Sequence, residues 1–107
     1  MNLDGLLTKI ESLEQHMLET LKALVRSESP STDKAAADAY AEMIAARFTG
    51  LGAQTSLVEN NTNGAQVMVE LSSSQSGEKK PGLLLCHYDT VWPPGTIDRM
   101  PFRIEGD

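Results

Sequence analysis

The stretch LLLCHYDTVWPPG, residues 83–95, decides how this chain is read. Four consecutive apolar residues, Leu83 to Cys86, predict a strand buried on both faces, as at the centre of an α/β sheet. Residues two apart on a strand share a face, so His87 and Asp89 project together and Tyr88 opposes them. In open α/β sheets, ligands and catalytic groups gather at the carboxyl ends of strands, which is where this pair falls. By the same alternation Cys86 points away from His87 and is expected in the core. Trp92-Pro93-Pro94-Gly95 then reads as a turn, because adjacent prolines fix the backbone and glycine reverses it.

Upstream of this strand the periodicity changes. Leu3, Leu6, Leu7, Ile10, Leu13, Met17, Leu21, Leu24 and Val25 recur at three- and four-residue steps, predicting one helix over 3–26 that stops before Pro30. A second helix follows, with Ser31 or Thr32 as its cap and Asp33 at the positive end of its dipole. Its expected apolar face is Ala36, Tyr40, Met43, Ile44, Phe48 and Leu51, and Gly50 or Gly52 supplies the stop. Segments 53–59 and 65–71 read as two strands of a hairpin, joined by the turn-forming Asn-Asn-Thr-Asn-Gly at 60–64. Residues 72–81 are polar and predict a solvated connection. Beyond Gly95 the chain reads as loop, with a short strand over 102–104. The expected class is α/β: two helices, then three strands of a mixed sheet, with neither an internal repeat nor a second domain.

Composition narrows the function. The 107 residues carry a net charge of -6 and only 5% aromatics, so neither a phosphate-binding basic surface nor a base-stacking platform is expected. One cysteine rules out an internal disulfide and suits a reducing cytoplasm. The N-terminus lacks the pattern of a signal peptide, and no apolar run approaches the roughly 20 residues that span a bilayer.

By spacing alone the His87–Asp89 pair has two readings. A neutral imidazole is a common zinc ligand, and a nearby carboxylate can hold its other ring nitrogen and fix the tautomer. The pair can also simply close a strand end and start a turn, which on spacing alone is the more frequent case. His16, on the first helix, reads as a surface residue, as do Arg99 and Arg103.

The wider context resembles the first metal-ligand motif of the zinc-dependent aminoacylase and carboxypeptidase superfamily. That group includes glutamate carboxypeptidase, acetylornithine deacetylase and succinyl-diaminopimelate desuccinylase. An apolar strand runs into His87-Tyr88-Asp89-Thr90-Val91, followed by Pro101-Phe102 and Gly106-Asp107. The run GTIDRMPFRIEGD, 95–107, makes the glutamate carboxypeptidase branch look nearest. Ser-Pro-Ser at 29–31 and the Ala-rich helix ending Leu-Gly-Ala at 51–53 are also similar to the start of such enzymes.

The resemblance implies that residues 1–107 are the N-terminal portion of a layered metallopeptidase catalytic domain, its lid-like dimerisation domain absent. His87 matches a zinc ligand and Asp89 the catalytic aspartate that orients it. Two zinc ions would serve hydrolysis of an amide next to a free carboxylate in a small acyl-amino-acid or peptide, and whether cobalt or manganese can replace them stays open. The complete enzyme could be a homodimer. The remaining ligands and the Glu general base are expected after Asp107, so the 107-residue chain alone is expected to be inactive, marginally stable and prone to association through unpaired sheet edges. Two alternatives stay open: a non-catalytic remnant, or a small α/β binding module that acts by association.

Overall fold

A computed structural model describes residues 2–73, 77 and 79–106. In chain order the elements are α1 (Leu3–Glu11), α2 (Glu14–Arg26), α3 (Lys34–Gly50), β1 (Gln54–Val58), β2 (Gln66–Glu70) and the single turn α4 (Thr96–Arg99). They belong to two compact units, one made of 1–27 with 95–107 and the other of 28–94.

In the first unit, the helix expected over 3–26 is two helices. The Ser12 hydroxyl donates to the Lys9 carbonyl at 2.7 Å, and the Leu13 amide bonds the Ile10 carbonyl at 2.9 Å. A serine that satisfies a backbone carbonyl with its own side chain, next to a tightened three-residue turn, lets the regular ladder break. Asn2 caps α1 by accepting from the Gly5 amide at 3.1 Å. No residue of α1 or α2 is buried, so their apolar stripe, Leu3 to Val25, stays largely open. Between Met100 and Gly106 no strand forms; Arg103 and Glu105 pair there at 2.5 Å, both well exposed. Asp107, the last residue of the motif quoted above, lies outside the described residues.

The second unit holds the site. Asp33, rather than Ser31 or Thr32, caps α3: its carboxylate accepts from the Ala36 amide at 3.0 Å. At the other end Gly52 takes φ +87°. Its amide bonds Thr49 and the next one, at Ala53, reaches back to Phe48, both at 3.0 Å. That reciprocal pair is a Schellman stop, and it needs a residue without a Cβ at the left-handed position. The buried line of α3 runs through Ala37 and Ala41, one step around from the expected face, and Leu51 is exposed. Alanine on that line lets α3 lie close on the sheet.

β1 and β2 pair antiparallel, with Thr55 opposite Val69 and Leu57 opposite Val67, and α3 packs on both. Within their connection, Asn60 Oδ1 accepts from the amides of Thr62 and Asn63 at 2.9 and 3.0 Å, which shapes the turn the sequence announces. Of the polar connection expected at 72–81, residues 74–76 and 78 lie outside the described residues.

The third strand is the main correction. Among the described residues the sheet has two strands and is antiparallel, not mixed. Residues 81–89 join no ladder, and Leu83, Leu84 and Leu85 are 86%, 91% and 87% exposed. Cys86 is exposed as well. A central parallel strand is covered only when strands flank both edges and layers cover both faces, and the described residues provide neither to 83–86. Extended pairing begins one step later, in a single parallel bridge between Pro30 and Thr90.

Candidate functional site

The site is built where segment 29–31 meets segment 88–90. The Thr90 amide donates to the Ser29 carbonyl at 2.9 Å, and the Ser31 amide donates to the Thr90 carbonyl at 2.8 Å. Thr90 therefore spends both backbone groups on the residues flanking Pro30. Pro30 sits opposite, where a parallel ladder asks nothing of its nitrogen, so the missing N–H costs no bond. Ser29, 1% exposed, closes the clamp by donating its hydroxyl to the Tyr88 carbonyl at 2.6 Å.

Tyr88 fastens the other side of the segment. Its hydroxyl donates to the Ala65 carbonyl at 2.7 Å, and its ring stacks on Tyr40 of α3 with centroids 5.4 Å apart. Asp38 of α3 accepts from the Ala65 amide at 2.8 Å and pairs with Lys34 at 2.5 Å. Both backbone groups of buried Ala65 are thus satisfied by side chains. Lys34 first, then the Ala65 amide, holds the Asp38 carboxyl below the usual aspartate range. Burial pushes the phenols of Tyr40 and Tyr88 up, and for Tyr88 the charge of Asp38 adds to it.

With Tyr88 turned inward, His87 and Asp89 face outward together, as alternation predicts. His87 Nδ1 lies 3.2 Å from Asp89 Oδ1 and 3.1 Å from the Asp89 carbonyl. Asp89 Oδ2 accepts from the Ser31 hydroxyl at 2.7 Å. The imidazole is 86% exposed and the carboxylate 47%. The Ser31 hydroxyl foremost, with a smaller contribution from His87, holds the Asp89 carboxyl below its usual range and keeps it an acceptor.

Both neighbours of Nδ1 are oxygens that only accept, which favours the neutral tautomer with its hydrogen on Nδ1 and its lone pair on Nε2. That is the donor state a metal requires of a histidine, with a carboxylate behind it. The chemistry of the pair therefore fits one zinc ligand. Among the described residues no group of three or more His, Cys, Asp or Glu side chains gathers where it could hold an ion. His16 lies exposed on α2. A hollow on the hairpin, lined by Gln54, Thr55, Ser56, Met68 and Glu70, includes none of the site residues.

Compared with family models, curated proteins and solved structures, the chain matches none.

Sequence reading singles out His87 and Asp89 but misses Ser31 as the partner of Asp89 and Ser29 as the partner of the Tyr88 carbonyl between them. Ser31 reads there as a helix cap and as part of the Ser-Pro-Ser segment, not as a partner of Asp89. The available signal is the Ser-Pro-Ser spacing itself: two hydroxyls on either side of a residue that cannot donate.

Proposed function

We propose that this chain is the first portion of a zinc-dependent hydrolase that cleaves an amide next to a free carboxylate, similar to glutamate carboxypeptidase. The observation that carries the reading is the state of His87. Its Nδ1 is engaged by Asp89 on an exposed ring, which leaves the Nε2 lone pair for a metal.

In this reading His87 is a zinc ligand and Asp89 the aspartate that orients it and raises its basicity. Zinc, when bound, supplies Lewis acidity toward the amide carbonyl. A catalytic zinc takes about three protein ligands, and His87 is one. The others, the second zinc's ligands and the general base come from sequence beyond residues 1–107. A cytoplasmic setting is part of the proposal and rests on the single cysteine, Cys86, and on the N-terminal composition. Among the described residues no helix is long and apolar enough to cross a membrane.

The test is a zinc titration of the chain followed on its histidine ring nitrogens. Nε2 of His87, with Asp89 behind its Nδ1, is expected to respond at lower zinc than the exposed His16, and to lose that advantage in Asp89→Ala. A His87 that responds to zinc no earlier than His16 overturns the reading. Acyl-glutamate is expected to stay intact with the 107-residue chain alone.

The exposure of Leu83 to Leu85 favours a second reading, a non-catalytic module that acts by association through this segment.

A further inference from the structure

The Ser31 hydroxyl has no structural duty that its neighbours leave undone. The cap of α3 is Asp33, and the ladder bond to Thr90 is made by the Ser31 amide. The hydroxyl stands 2.7 Å from Asp89 Oδ2 and 2.9 Å from the Thr90 carbonyl. It has one hydrogen to give. The Thr90 carbonyl already accepts the Ser31 amide, and a carboxylate is the stronger acceptor, so the hydrogen goes to Asp89.

We propose that Ser31 is the positioning residue of the His87–Asp89 pair: its hydroxyl holds one carboxylate oxygen so that the other meets the imidazole at Nδ1. The inference deepens the reading of His87 as a zinc ligand and rests on it for its functional meaning. Asp89 is half-exposed. A carboxylate held at one oxygen only, with water around it, turns about its last torsion, which is broad and roughly two-fold. Anchoring Oδ2 removes that freedom. The anchor is itself fixed: Pro30 restricts the backbone before Ser31, and the paired segments hold it on both sides of the bridge. Ser29, buried beneath, ties the same two segments through Tyr88. The order of dependence runs from the 29–31 backbone to the Ser31 hydroxyl, to Asp89, to the imidazole tautomer.

The experiment reads that tautomer directly. Long-range proton–nitrogen correlation spectra of the 107-residue chain, recorded above the pH range where imidazole titrates, report which ring nitrogen bears the hydrogen. Wild-type His87 is expected as the Nδ1–H form. Ser31→Ala and Ser31→Val are expected to shift the population toward the Nε2–H form that free imidazole favours, and Asp89→Ala to do the same, since only the Asp89 carbonyl then remains beside Nδ1. Ser31→Thr, which has the shape of the valine variant and keeps the hydroxyl, is expected to retain Nδ1–H. His16 is the control within the chain. Amide resonances of Ser29 and Thr90 report whether the 29–31 and 88–90 segments remain paired, and the Thr/Val comparison decides the matter if alanine disturbs them.

A Val variant that keeps Nδ1–H overturns the inference. If zinc still moves Nε2 ahead of His16 in that variant, the metal reading stands without Ser31. If the tautomer follows the hydroxyl but zinc moves Nε2 ahead of His16 in neither wild type nor variant, Ser31 positions the pair and the metal reading fails.

Discussion

A methyl group added at Gly64 would stand 2.5 Å from the Tyr88 hydroxyl and 2.6 Å from the Ala37 Cβ. Those atoms belong to the contact that holds segment 87–90 against α3, so they have little room to yield. Gly64→Ala is expected to destabilise the chain by about 1–3 kcal/mol, as overpacking does, read from urea unfolding. Gly52→Ala meets no atom within 4 Å but must hold φ +87°, so its cost is conformational alone, about 1 kcal/mol. Tyr88→Phe keeps the stack on Tyr40 and loses the bond to the Ala65 carbonyl, which is left buried without it. A loss of about 1–3 kcal/mol is expected, and a loss indistinguishable from zero would show that water takes the place of the hydroxyl. His87 and Asp89 were legible at this scale because alternation on an extended chain is a local property. Their anchors were not. Ser29 and Ser31 lie 59 and 58 residues before the groups their hydroxyls bind, and no short-range pattern encodes such a meeting.

At the scale of elements, α3 organises the second unit through its charged and small residues. Asp33→Ala removes the cap and is expected to cost about 1 kcal/mol, by the same unfolding measurement. Asp38 acts through its ionised form, bridging Lys34 of its own helix to the Ala65 amide that precedes β2. Its carboxyl titrates below the usual aspartate value of about 3.9 in the folded chain. The unfolded chain therefore binds the proton first as pH falls. The contribution of Asp38 is full above that usual value and disappears as pH drops through the lower folded value. A pH series of urea midpoints should fall more steeply on the acid side for the wild type than for Asp38→Asn. Parallel acid limbs would remove Asp38 from the account. Two local signals were read correctly from sequence, the glycine stop of α3 and the hairpin that follows it, because the first depends on residues within a turn of each other and the second on two neighbouring segments joined by a short turn. The break at Ser12 was missed because the apolar stripe continues across it. Periodicity records which side is apolar, not whether the hydrogen-bond ladder is continuous.

For the molecule as a whole, the inventory of covered apolar side chains is short. Among the described residues the buried hydrophobic ones are Ala37, Ala41 and Ala65, which bring little area out of water. Leu83 to Leu85 and much of the α1–α2 stripe remain in solvent. An exposed, extended apolar run is a template for pairing with another chain. The sedimentation-average mass is expected to rise with concentration, and Leu84→Glu to suppress the rise while leaving the amide spectrum around Tyr88 unchanged. A constant monomer mass in the wild type would mean that the run is protected by something other than association.

The sequence by itself determined the helical and hairpin segments, the α3 stop and the outward pairing of His87 with Asp89. Each follows from rules that act over a few residues. Only the tertiary structure decided that 83–86 joins no sheet, that Asp33 rather than Ser31 caps α3, and that Ser31 is thereby left to hold Asp89. Burial and side-chain pairing depend on what stands opposite a residue in space, and for residues nearly sixty positions apart the chain's local pattern says nothing of that.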